Sequence, residues 1–112
     1  MGNKNDQLHT DTMVTIEPID DLDGIPCANA FSTEEPKTLR LTLSAGERAE
    51  THDHPDRYLV LYLISGNLSL QFDDESYQLE SGDIVHFDGA HTNISSATTD
   101  STALFVLSKK IK

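Results

Sequence analysis

Apolar and polar residues alternate along this chain with a period of two, and no stretch of useful length repeats at 3.6. TLRLTL puts Leu39, Leu41 and Leu43 on one face and Thr38, Arg40 and Thr42 on the other, which predicts a half-buried strand. YLVLYLI, running from Tyr58 to Ile64, is a near-continuous apolar run and predicts a central strand buried on both faces. ERAETHDH is a strand ended by Pro55, and LSLQF, YQL, IVHF, HTNIS and TALFVL are further short strands. The turns between them are read from Ser44-Ala45-Gly46, Ser65-Gly66-Asn67, DDES, ESGD and DGA, and SATTDS is a polar loop. MVTIEPI alternates only until Pro18 and is at most a short edge strand, while Asp20 to Pro36 reads as loop. Short strands between regular turn signals indicate an all-β sandwich or barrel. A single domain over 13–112 is expected, after a polar, disordered leader over 1–12, with Met13 an alternative start.

Composition narrows the setting. A chain of 112 residues builds one core. Its single cysteine, Cys27, excludes an internal disulfide and fits a reduced, cytoplasmic protein; it reads as a small structural residue rather than a nucleophile. No apolar run approaches a membrane span, and the N-terminus has no apolar signal core. The formal net charge of -11 repels nucleic acid and anionic membranes, so neither is expected as a partner. Acids cluster where turns are expected, as ordinary turn chemistry; a surface this acidic also fits a halophilic host with a salt-rich cytoplasm.

The chemistry-bearing stretch is GERAETHDHPDRYLVLYLISG. Gly46 is followed by five residues, then His52-Asp53-His54, and Gly66 closes the segment. Gly82 and Asp83 open a second stretch, GDIVHFDGAHTN. Spacing and order over Thr38 to Leu107 resemble the two motifs of small single-domain cupins, whose fold is a jelly-roll β-barrel. The departures are specific. The carboxylate of the first motif falls on Leu59 or Tyr58, depending on the count, and Asp88 stands where the second motif has proline. Without a gap, the second-motif histidine position is Asn93; with a turn two residues shorter, it is His91.

Metal-binding cupins usually hold their ion with three histidines and a glutamate. The resemblance therefore implies a divalent transition metal (iron, zinc, copper, manganese or nickel) on His52, His54 and His91, with Asn93 weak or outside the coordination shell. Residues two apart in a strand share a face, about 6.6 Å apart, so His52 and His54 can converge on one ion, and His91 and Asn93 can likewise point inward together. Loss of the glutamate leaves such a site more positive, favouring an anionic ligand. The alternative is that the histidine pair is a relic in a pocket turning apolar around Leu59. His86 is a further candidate by composition, and His9 lies in the leader. Tyr58, Tyr62 and Phe87 are candidate barrel liners, although strand aromatics usually serve as core. Arg57 is either a contact for an anionic ligand at the barrel mouth or a partner for one of the many acids.

Three functions follow. The barrel is an enzyme of the oxygenase, isomerase or decarboxylase type, with no catalytic residue assignable; a metal- or small-ligand-binding module that senses through a protein partner; or a barrel with an eroded site. The resemblance also implies a homodimer, formed through edge strands.

Overall fold

The computed structural model describes residues 9–10, 14–31, 35–51 and 54–111. Alternation in TLRLTL becomes strand β4 (Lys37–Leu43), with Leu41 and Leu43 in the core and Leu39 packed against it. Its polar face is buried as well. Arg40 is 6% exposed, and its guanidinium donates to the carbonyls of Ile19 (2.8 Å), Leu22 (3.2 Å) and Gly24 (2.8 Å). These lie in and just after a 3-10 turn, Ile19–Asp21, so the preceding chain covers this half of the sheet.

The remaining strands follow the turn signals. Before β4 come β1 (His9–Thr10), β2 (Thr15–Ile16) and β3 (Cys27–Asn29). After it come β5 (Arg48–Thr51), β6 (Arg57–Ser65), β7 (Asn67–Phe72) and β8 (Glu75–Glu80). The chain ends with β9 (Ile84–Asp88), β10 (Asn93–Ala97) and β11 (Ser101–Lys109). Two main sheets result, ordered β3-β4-β11-β6-β9 and β5-β10-β7-β8, with β1-β2 a separate two-stranded pair and every neighbour pair antiparallel. Leu59, Leu61 and Phe105 from the first pack with Leu68, Leu70 and Ala97 from the second in one core. This is the expected all-β jelly-roll barrel, two faces closed on a single apolar layer.

Four local readings change. β3 forms within the stretch read as loop: Cys27 pairs with Leu41, so this edge strand follows from the neighbour it completes and not from its own pattern. β1 pairs with β2, so strand pairing reaches into the stretch read as leader; 1–8 and 11–13 lie outside the described residues. β5 is described over Arg48–Thr51, and His54, read as part of that strand, opens a turn instead. β6 is buried on one face only. Leu59, Leu61 and Leu63 are at most 1% exposed, whereas Tyr58, Tyr62 and Ile64 are 40%, 40% and 37% exposed. A continuous apolar run marks burial on both faces only where another layer covers the outside. Here no described residue supplies one.

Candidate functional site

β10 carries the polar residues of the barrel interior. Asn93 opens the strand, pairs with Thr51 on one side and Phe72 on the other, and is 1% exposed. Ser95, two residues on, shares its inward face and is also 1% exposed. Asn93 Oδ1 and Ser95 Oγ are buried without a hydrogen-bond partner among the described residues. Such groups normally find one, and leaving one unmade costs about 1–3 kcal/mol.

A cleft of about 470 Å³ opens between β8 and β9, the outer strands of the two sheets; Phe72, a strand partner of Asn93, lines it, and Asn93 itself does not. Its apolar wall is Phe72, Tyr77, Val85 and Phe87. Phe72 and Phe87 meet edge to face across the sheets, centroids 5.0 Å apart, and Tyr77 meets the edge of Phe72 at 6.2 Å. Strand parity accounts for this, since Leu68, Leu70 and Phe72 share one face of β7 and Val85 and Phe87 one face of β9. Asp73, Asp74, Glu75 and Asp88 also line the cleft. This acidic rim favours a cation or neutral ligand over the anion expected from the sequence. Glu75 accepts a 2.6 Å hydrogen bond from the Tyr77 hydroxyl, which raises the Tyr77 pKa.

The histidines are distributed unevenly. His54 is half-buried; its amide donates to the Gly89 carbonyl, which fastens the turn after β5 to the loop between β9 and β10. His91 lies in that loop, exposed and lining the cleft. His52, with Asp53, lies outside the described residues. His86 projects from the outer face of the sheet, pairing with Val60 and stacking on Tyr58 at 5.4 Å, with the β9 edge bordering the cleft. Among the described residues no three His, Cys, Asp or Glu side chains stand together as a metal-holding group. The interior side-chain oxygens without a hydrogen-bond partner among the described residues are Asn93 Oδ1 and Ser95 Oγ.

The two places where the motif carboxylate is expected separate cleanly. Leu59 points inward and is 1% exposed; Tyr58 points outward. Tyr58 and Tyr62 therefore do not line the barrel, because they occupy the opposite parity of β6 from Leu59 and Leu61. Phe87 does line it. Arg57 is taken up by Glu35 in a two-pronged pair at 2.9 Å and by the Leu107 carbonyl, so it serves an acid and the backbone. The Asp88 carboxylate accepts from Lys110 at 2.8 Å and from the Ala90 amide, and these bonds lower its pKa. Cys27 is an exposed residue whose thiol pKa is raised by desolvation against the pull of Arg40, which disfavours a thiolate nucleophile. Phe72, Tyr77 and Ser95 were not singled out from the sequence; the parity of LSLQF marks Phe72, but only the sheet order brings it opposite Phe87.

Comparison with known proteins agrees with this architecture. A family model described as a cupin domain matches residues 39–107. A cupin domain of an XRE-family transcriptional regulator from Enterobacter cloacae superposes with a TM-score of 0.61 at 19% identity, covering 67% of this chain and 82% of that one. A predicted oxalate decarboxylase from Thermotoga maritima gives 0.65 at 17%, covering 75% and 79%. KdgF from Halomonas sp. gives 0.65 at 15%, covering 81% and 89%. At these identities the likeness shows the fold. Comparison with curated protein sequences gives no match.

Proposed function

The chain belongs to the cupin domain family, and we propose that its barrel binds a small organic ligand in the cleft between β8 and β9, with a divalent transition metal at the side of the cleft that His91 lines. His52, His54 and His91 would hold the metal, and Asn93 would sit beside them. When bound, the metal supplies Lewis-acid or redox chemistry. The chain's own residues do the rest. Phe72 and Phe87 give a flat apolar ligand its wall, and Tyr77 closes one side. Asn93 Oδ1 accepts a hydrogen bond from the ligand or donates a lone pair to the cation. Leu59, at the carboxylate position, keeps the floor apolar and leaves the chain no inward acid there. The single observation that carries this reading is the buried Asn93 oxygen, without a partner among the described residues, on the strand that pairs with Phe72 of the aromatic cleft.

A second reading has one supporting observation, the likeness to a cupin domain of a transcriptional regulator. On that reading the barrel senses its ligand and reports it to a protein partner, because a chain of net charge -11 does not approach DNA itself. On either reading the chain works in the cytoplasm as a homodimer. The test is thermal unfolding with and without added divalent metals. A ligand that binds only the folded state raises its stability. The melting temperature is expected to rise with at least one transition metal in the parent and to stay unmoved in the His52→Ala, His54→Ala double variant. A rise of equal size in both would place the metal elsewhere.

A further inference from the structure

A second cleft, of about 430 Å³, lies where the polar face of β4 and β11 meets the stretch around the 3-10 turn. Strand parity sets its floor. Arg40 and Thr42 share one face of β4, and Thr102 of β11 pairs directly with Thr42. The two threonines are half-buried, and cross-strand partners stand about 5 Å apart between Cβ atoms, so their hydroxyls are neighbours. The stretch from Asp20 to Ile25 forms the wall. Leu22 and Ile25 make part of it apolar, and the exposed Asp20 and Asp23 add carboxylates.

Arg40 is the chemical centre of this cleft. It is 6% exposed, and its Nη atoms donate to the carbonyls of Ile19, Leu22 and Gly24. Its Nε is buried and has no hydrogen-bond partner among the described residues. There the guanidinium meets carbonyl dipoles and no carboxylate. A charge held away from water is normally paired with an opposite one, and a buried donor normally finds an acceptor. The bonds to the carbonyls hold the wall in place, but they use neither the charge nor Nε.

We propose that this cleft is a second binding site, for a free α-amino acid with an aliphatic side chain. A carboxylate is the acceptor that Arg40 and the two threonine hydroxyls call for, since it takes several hydrogen bonds and neutralises the guanidinium. A simple anion suits the cleft poorly, because Asp20 and Asp23 repel it on a chain of net charge -11. A ligand that carries an ammonium beside its carboxylate turns the same two acids into partners. Its aliphatic side chain then covers Leu22 and Ile25. Ile25 is 78% exposed without it, and that apolar surface leaves water on binding. The volume falls in the lower part of the range of small-molecule sites, about 300–1,000 Å³.

This site shares no lining residue with the aromatic cleft between β8 and β9, so it is independent of what the barrel binds. Its test is isothermal titration calorimetry of the full chain with three probes: L-leucine, N-acetyl-L-leucine, which lacks the ammonium, and L-leucinamide, which lacks the carboxylate. The parent is expected to bind one L-leucine per chain, and each analogue about tenfold or more weakly, because each leaves one charged end of the cleft unpaired. Thr102→Val keeps a β-branched side chain, and Asp23→Asn changes an exposed residue, so both are expected to melt near the parent. Both are expected to bind L-leucine about tenfold more weakly. The His52→Ala, His54→Ala double variant is expected to bind it as the parent does. Absence of L-leucine binding by the parent at millimolar ligand would overturn the site. Equal affinity for either analogue would overturn the amino-acid class, since one of the two charged ends would then play no part. Binding unchanged in Thr102→Val and Asp23→Asn, or lost in the double-histidine variant, would place the ligand elsewhere and overturn the assignment to this cleft.

Discussion

Leu59 lies directly beneath Gly89. A Cβ placed on Gly89 would stand 2.7 Å from Leu59 Cδ1 and 2.8 Å from the Arg57 carbonyl, with the His54 carbonyl as close. The Gly89 amide donates to the Arg57 carbonyl, and the Gly89 carbonyl accepts from the His54 amide. One bare backbone position therefore fastens the loop that carries His91 to the turn that carries His54, over Leu59, one of the two positions at which the motif carboxylate is expected.

Gly89→Ala is expected to destabilise the fold by about 1–3 kcal/mol, the usual cost of overpacking against neighbours that cannot move aside. The loop has to lift, so any stabilisation by metal should fall with it. Urea unfolding with and without metal checks both. An unfolding midpoint equal to the parent's would mean that the loop is not clamped.

Asn93→Leu keeps a branched side chain and removes the unpartnered oxygen. A buried unpaired polar group costs about 1–3 kcal/mol, so without ligand the variant should match the parent or exceed it slightly. It should also lose the stabilisation that metal or ligand confers. A strongly destabilised variant would show that Asn93 serves the fold and not a ligand. Thermal melting of both proteins decides between them.

Lys110 makes a pH-dependent contribution through Asp88. The hydrogen bond from Lys110 is the first cause holding the Asp88 pKa below its ordinary value, and the Ala90 amide is the second. A carboxyl lowered on folding adds stability that is present above its unfolded pKa and lost as pH falls through the folded one. Lys110→Met is therefore expected to melt below the parent at neutral pH, with the gap narrowing in acid as Asp88 protonates. The Lys110 ammonium also lies 5.0 Å over the Tyr58 ring, a contact whose loss does not depend on acid pH, so a residual gap remains. A gap constant across the whole range would assign the effect to Tyr58 alone.

The barrel was legible in the sequence because its core strands alternate strictly. TLRLTL and LSLQF give their core leucines by parity alone, and Gly66 marks the β6–β7 turn, where any Cβ would collide with Ser101. YLVLYLI misled because apolar residues of both parities read the same whether or not a further layer covers the outer face. Cys27–Asn29 was hidden for a different reason: a three-residue strand among prolines and glycines carries no period and forms only because β4 has an open edge. At the site, spacing pointed to His54 and to the neighbourhood of His91 and Asn93. It could not say which of these two enters the barrel, because that depends on where β10 begins. With the strand opening at Asn93, the amide is inward and His91 stays on the rim. Of the aromatic wall, Phe87 was a candidate from the sequence, whereas Phe72 meets it only through the order of the two sheets.

The most direct measurement is native mass spectrometry of the purified full chain beside Asn93→Leu and the His52→Ala, His54→Ala double variant. The account predicts that the parent carries an added mass, either a transition metal or a small organic ligand, and that the Asn93→Leu barrel releases it while remaining folded. A metal would also be absent from the double-histidine variant. The bare mass of the chain in the parent, unchanged after incubation with divalent metals, would contradict it.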